Sequence, residues 1–266
     1  MKISFIGAGN MTQAFLKGLC GSLFEHEIWV SNRSPGKLDG IDIPNINKSI
    51  DNHRAVHDAD LVVLAVKPQQ MFELLETIRA EINPNAIIIS LAAGLELDQL
   101  KDWLYPEAKL IRFMPNTAIA LGCGSIAVCN NENIDALELN LIKDLFKPCG
   151  SLLDLDEAQF ELFIAASGSG IAFVYQIMDC YVHALKELGL EERLAKSLIT
   201  DTFFAASSMV KLNPDLEDLM SRVASKGGTT IEGLNALRAS QLKEILLEMS
   251  EKTILRSKQL REELRK

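Results

Sequence analysis

Cysteine is scarce and unpatterned in this chain of 266 residues: Cys20, Cys123, Cys129, Cys149 and Cys180 are odd in number, widely spread and never in a C-x-x-C pair. That arrangement indicates neither a disulfide framework nor a zinc site and leads us to expect reduced thiols in a cytoplasmic protein. Positive charge is short as well, with 27 Lys and Arg against 36 Asp and Glu and a net charge of −9. Nucleic acid and an anionic membrane are therefore poor partners, and a site for an anionic ligand must be locally positive. Of the four histidines, His53 and His57 stand at a spacing that could share a helix face as metal ligands. No third ligand accompanies them, so no metal is expected. A Ser-His-Asp hydrolase also lacks support, because Ala166-Ser-Gly-Ser-Gly170 introduces a helix and does not follow a strand as a nucleophile elbow does. Long apolar runs are missing too. The opening Met1-Lys-Ile-Ser-Phe-Ile is too short for a signal peptide and fits a first strand, while the uncharged stretches 113–131 and 162–178 are interrupted by Gly, Ser, Asn or Pro. Both stretches are expected to be deeply buried, near a ligand or a subunit interface.

What is present alternates. Strand signals at 2–6, 27–30, 60–66, 86–91 and 109–113 are interspersed with helix signals at 11–20, 68–80 and 95–103, and a further strand (124–128), helix (133–146) and strand (150–155) follow. Short apolar strands in such alternation predict a mainly parallel sheet covered on both faces. Strand signals stop after about residue 157. Helical spacing of Ile171, Val174, Tyr175, Met178, Val182 and Leu185, and of Leu242, Ile245, Leu246 and Met249, then predicts an all-helical second half. The expected fold is α/β: a Rossmann-like dinucleotide-binding domain over 1–157 entering directly into a helical domain over 158–266.

Six segments could carry chemistry. Ile3-Ser-Phe-Ile-Gly-Ala-Gly-Asn-Met-Thr12 is a strand, a Gly-x-Gly-x-x-Thr turn and a helix, the context a dinucleotide-binding turn requires. Gly7 allows the tight turn, Gly9 lets the backbone approach a pyrophosphate, and Thr12 is larger than the Gly or Ala that normally packs helix on strand. Val30-Ser-Asn-Arg-Ser34 ends the second strand without the acid that binds both ribose hydroxyls of NAD. Ser31, Asn32, Arg33 and Ser34 suit a 2′-phosphate instead, which favours NADP(H); a solvent-facing polar turn would look the same. Ala65-Val-Lys-Pro-Gln69, Ser90-Leu-Ala-Ala-Gly94 and Arg112-Phe-Met-Pro-Asn-Thr117 each follow a strand, so three loops converge on one rim. Farther on, Ser225-Lys-Gly-Gly-Thr-Thr230 opens a helical pattern. Backbone N–H groups of Gly227, Gly228 and Thr229, with the positive end of a helix dipole, could receive a small carboxylate, although many such turns only begin a helix.

In order and spacing, Phe5-Ile-Gly-Ala-Gly-Asn-Met11, Ala65-Val-Lys-Pro68, Ser90-Leu-Ala-Ala-Gly94, Met114-Pro-Asn-Thr117, Ser167-Gly-Ser-Gly170 and Ser225-Lys-Gly-Gly-Thr-Thr230 resemble the pyrroline-5-carboxylate reductase family. The resemblance implies NAD(P)H-dependent reduction of Δ1-pyrroline-5-carboxylate to L-proline, with NADP(H) preferred and NAD(H) an alternative. It implies a helical domain that dimerises with a second copy, the dimers often forming a ring. It would place Gly7, Ala8, Gly9, Asn10 and Met11 at the pyrophosphate, Ser31, Asn32, Arg33 and Asn52 at the adenosine ribose, and Val66, Lys67, Pro68, Ala92, Ala93, Gly94 and Asn116 about the nicotinamide ribose and ring. Ser169, Gly170, Gly227, Gly228, Thr229 and Thr230 would bind substrate, with Thr230 near the ring nitrogen as the catalytic candidate. Family prolines are replaced by Ala118, Ile171 and Lys226, a Glu by Cys123 and a Thr by Ile164. Two other readings remain: a related NADP-dependent imine or hydroxyacid reductase, or a non-catalytic dinucleotide-binding paralogue.

Overall fold

The computed structural model describes residues 1–19, 21 and 25–264. The chain forms two compact units, Met1–Ser169 with Lys252–Lys266, and Gly170–Glu251. In the first, strands β1 (Lys2–Ile6), β2 (Glu27–Ser31), β3 (Ile46–Ser49), β4 (Leu61–Leu64), β5 (Ile87–Ser90), β6 (Lys109–Pro115), β7 (Gly124–Asn130) and β8 (Gly150–Asp154) make one sheet in the order β3-β2-β1-β4-β5-β6-β7-β8. All pairs are parallel except β6 with β7.

The strand period of two explains the layering. Phe5, Leu61, Val63, Ile89 and Phe113 face one side, where they pack with Phe15 of α1 (Asn10–Gly18) and Phe146 of α6 (Ala136–Phe146). Ile6, Val62, Leu64, Ile88 and Leu110 face the other and pack with Val56 of α3 (Asn52–Val56), Leu75 of α4 (Met71–Ile78) and Leu100 of α5 (Leu97–Trp103). Each fully buried side chain of this size contributes roughly 1.5–3 kcal/mol, so the central strands need apolar residues at every position and read as continuous runs. Cys149 lies in the first of these layers, and burial pushes its thiol up to about 12, so it stays protonated. β3 and α3 have no counterpart in the sequence reading: β3 is an edge strand with one apolar residue, Ile46, in Ile-Asn-Lys-Ser, and gives no alternating signal. Between β1 and α3, the short helix α2 (Gly36–Asp39) follows β2.

After β8 the chain enters α7 (Phe160–Phe163), a π-helical turn over Ile164–Gly168, and α8 (Gly170–Glu187). The second unit continues through α9 (Glu192–Leu212), α10 (Leu216–Val223) and α11 (Thr229–Ala239) into α12 (Leu242–Leu264), whose residues from Lys252 onward belong to the first unit. α8 and α9 form a hairpin around Val182, Ala195 and Ile199, with Met178, Leu185 and Phe203 packed on them. The Glu191 side chain caps α9 by accepting from the N–H groups of Arg193 and Leu194.

The burial expected of the uncharged stretches divides. Phe113, Met114, Ile126 and Val128 are buried as expected, but Leu162, Val174, Tyr175 and Ile177 are 60%, 42%, 63% and 41% exposed in the single chain. The correction has a simple cause. Val174, Tyr175 and Ile177 lie on α8, and a two-helix hairpin covers only one stripe of each helix, which leaves these side chains uncovered in the single chain. Residues 157–187 form a helical run long and apolar enough to cross a membrane by length and composition, and only 28% of its most apolar window is buried.

Candidate active site

The turn between β1 and α1 lies where the strand order reverses, between β1 and β4, which is the ligand-binding crevice of an open α/β sheet. Gly7 has φ +109°, and a Cβ there would sit 2.8 Å from the Ala65 carbonyl oxygen, so both conformation and contact demand glycine. A Cβ on Gly9 would meet nothing within 4 Å; protein packing does not require that glycine, but an approaching ligand would. α1 begins on Gly9 with no side-chain cap, leaving its first N–H groups and dipole available to an anion. Asn10 is exposed at this end, whereas Met11 packs toward the core. Thr12 is fully buried, and its hydroxyl donates to the Gly7 carbonyl at 2.5 Å. The side chain too large for the usual third glycine thus ties the turn to the helix.

At the end of β2 the polar residues divide their work. Ser31 is buried and donates to Asn52 Oδ1 at 2.8 Å. Asn32 Oδ1 accepts from Ala8 N–H at 3.2 Å, and its amide nitrogen donates to the Ser34 carbonyl at 2.8 Å. These two side chains brace the turn, and Arg33, Ser34 and Lys37 stand exposed beside it. A cavity of about 390 Å³ is lined here by Gly7, Asn32, Arg33, Ser34, Lys37, Asn52, Val66 and Lys67, with Gln70, Glu73, Leu74 and Thr77 from the α4 side. Arg33, Lys37 and Lys67 against Glu73 make it the locally positive site that the net charge of −9 requires. Lys37 was missing from the sequence reading; its place on the first turn after Ser-Pro-Gly was the available signal. A larger cavity, about 780 Å³, has Pro68, Phe72 and Trp103 in its wall together with Glu96, Asp98, Asp102 and Glu263, and no cation among its lining residues, which is poor electrostatics for phosphates.

The other loops of the rim differ in what they expose. Ala92 is buried and Ala93 exposed after β5, and a Cβ on Gly94 would lie 3.1 Å from Leu264 of α12. That end of α12 is fastened by Arg261, which pairs with Glu96 at 3.0 Å and Glu161 at 2.9 Å. Asn116, after β6, is buried; its Oδ1 accepts from the N–H groups of Ala118 (3.1 Å) and Ser125 (3.4 Å), and its amide nitrogen donates to Ser167 Oγ at 2.9 Å. With alanine at 118 in place of proline, the extra N–H is satisfied by this amide. His57 pairs with Asp58 at 2.9 Å, and no cluster of three metal-ligating side chains occurs among the described residues.

In the second unit, Gly228 N–H donates to the Ser225 carbonyl at 3.0 Å and closes a β-turn over Lys226 and Gly227. Gly227 has φ +72°, the conformation such a turn asks of its third residue. Lys226 occupies the second position, where proline is favoured because its φ is preset; lysine makes the same turn at a cost in unfolded-chain entropy. Gly228 N–H, expected to face a ligand, is thus used in closing the turn. α11 starts at Thr229 on Gly228 without a side-chain cap, so the first-turn N–H groups of Thr229 and Thr230 have no intrahelical partner, and both residues are exposed.

Residues 157–260 match the family model described as pyrroline-5-carboxylate reductase dimerisation, and residues 2–94 match one described as NADP oxidoreductase, coenzyme F420-dependent. A curated pyrroline-5-carboxylate reductase of Staphylococcus haemolyticus is 32% identical over 98% of this chain and 98% of its own length, and one from Aquifex aeolicus is 30% identical over 98% and 97%. Among solved structures, a pyrroline-5-carboxylate reductase of Coxiella burnetii superposes with TM-score 0.90 at 31% identity, covering 97% of this chain and 98% of that one. A Plasmodium falciparum pyrroline carboxylate reductase with NADP bound gives 0.84 at 27% identity, covering 97% of each.

Proposed function

This chain belongs to the pyrroline-5-carboxylate reductase family, and from that membership we propose an assignment of its residues to the two halves of the reaction. The enzyme reduces the C=N bond of Δ1-pyrroline-5-carboxylate to give L-proline. The reduced nicotinamide dinucleotide supplies the hydride when bound. The observation that carries the assignment is the positive cavity beside Gly7, with open space over Gly9 and an uncapped α1.

Gly7, Ala8, Gly9, Asn10 and Met11 hold the pyrophosphate through backbone N–H groups and the α1 dipole. Arg33, joined by Ser34 and Lys37, takes the 2′-phosphate, and Ser31, Asn32 and Asn52 shape the ribose wall; NADPH is therefore the preferred cofactor and NADH the weaker one. Val66, Lys67, Pro68, Ala92, Ala93 and Gly94 border the nicotinamide end. Thr229 and Thr230 hold the substrate carboxylate through the N–H groups and positive dipole of the α11 N-terminus, on a turn that Gly227 and Gly228 shape. Ser169 and Gly170 border the substrate ring. Thr230 hydrogen-bonds the ring nitrogen, directly or through water, where protonation polarises the imine carbon. Positioning supplies most of the rate, since the protonated imine accepts hydride without further activation. A homodimer is the working unit, supported by the exposed apolar helix faces and by the match to a dimerisation model. The reduced, buried Cys149 fits work in the cytoplasm.

The test is NADPH and NADH oxidation with pyrroline-5-carboxylate. The wild type is expected to turn over with both and to favour NADPH, and Thr230→Ala to lose about a hundredfold in kcat/KM. Tight NADPH binding without turnover of this substrate would leave a dinucleotide-binding protein of another function.

A further inference from the structure

We infer that Asn116 and Ser167 form a latch that positions Ser169 and Gly170, a role distinct from cofactor contact. Asn116 is 7% exposed and holds fixed partners on every side: its backbone N–H donates to the Ser125 carbonyl at 3.1 Å, its Oδ1 accepts from Ala118 and Ser125, and its Nδ2 reaches Ser167 Oγ at 2.9 Å. Ser167 sits inside the π-helical turn Ile164–Gly168, where Ser169 N–H donates to the Ile164 carbonyl at 2.7 Å. A π-turn inserts one residue into a helix, so the residues that close it, Ser169 and Gly170, are turned by about 100° relative to their places in an uninterrupted α-helix. Which way Ser169 and Gly170 point is thereby decided inside this turn.

The turn is held on two sides. Upstream, Phe160 and Phe163 pack on Met114 and Ala127 of the sheet, with Ile164 against them. At its centre the Asn116–Ser167 bond ties it to the end of β6, across 51 residues of sequence. A π-turn is rare because its geometry is less favourable than that of an α-helix, and one neutral hydrogen bond shifts such a balance by about tenfold. The inference rests on the reading that Ser169 and Gly170 border the substrate, and the experiment separates the two.

Ser167→Ala removes the latch and leaves the Asn116 turn intact; Ser167→Thr keeps the hydroxyl. We expect Ser167→Ala to speed amide exchange at Ser169 by about tenfold and to raise the KM for pyrroline-5-carboxylate by a similar factor. The Kd for NADPH should stay within about twofold, and Ser167→Thr should restore both values. Unchanged exchange at Ser169 overturns the latch. Faster exchange with unchanged KM overturns its link to substrate, and equal losses of NADPH and substrate affinity reduce it to general structure. A wild-type protein that does not turn over the substrate refutes the functional reading instead, while the exchange measurement still judges the latch.

Discussion

In the first unit the apolar residues of the central strands are consumed by the fold: Phe5, Val62, Leu64 and Ile89 are all 0% exposed, with helices covering both faces. In the second, Leu194, Leu198, Met209 and Leu212 line one face of α9 and are 47%, 47%, 49% and 84% exposed, while its buried side chains are the few at the α8–α9 hairpin. The first unit is a finished α/β domain whose rim residues Gly7, Ser31 and Asn32 are preset by its own packing. The second is a set of amphipathic helices with faces in excess, as expected of a segment that is completed by another copy. On the proposed assignment, the dinucleotide half of the chemistry is built within one chain, and we propose that the substrate half depends on assembly.

Breaking the finished half should have the largest effect. Gly7→Ala forces an L-residue to φ +109° with its Cβ against the Ala65 carbonyl. We expect about 3 kcal/mol of lost stability and NADPH binding weakened by more than about a hundredfold, measured by denaturant titration and fluorescence. Unimpaired binding would mean that the turn is not the pyrophosphate site. Arg33→Ala, exposed at the cavity rim, should cost about tenfold in NADPH affinity and leave NADH unchanged; an unaltered preference would remove the 2′-phosphate assignment. Thr12→Val should do least, lowering stability by about 1 kcal/mol through the lost bond to the Gly7 carbonyl, or about 2–4 °C in Tm.

How far the sequence revealed all this follows the same division. The first unit was legible because both-face burial writes itself as apolar runs such as Leu61-Val-Val-Leu64, and because the Gly7 turn has a period-independent signature. The edge strand β3 was not, because its polar content leaves no local pattern, and β7 was legible as a strand but not in its antiparallel direction, which leaves none either. Helices of the second unit were legible from spacing, but their exposure was not: an apolar stripe looks alike whether its own chain or another covers it. Asn116 illustrates a further limit. Its residue type and loop suggested a ligand contact, and only the bond to Ser167, 51 residues on, shows its amide engaged with protein.

The dependence of substrate chemistry on assembly is tested most directly by Leu198→Glu combined with Met209→Glu, which charges the exposed stripe of α9 without touching the Gly7 cavity. Molar mass by light scattering, NADPH affinity and turnover are measured on the same sample. The expected result is a monomer that binds NADPH within about threefold of the wild type and turns over pyrroline-5-carboxylate at least about a hundredfold more slowly. A monomer with wild-type turnover would contradict the account.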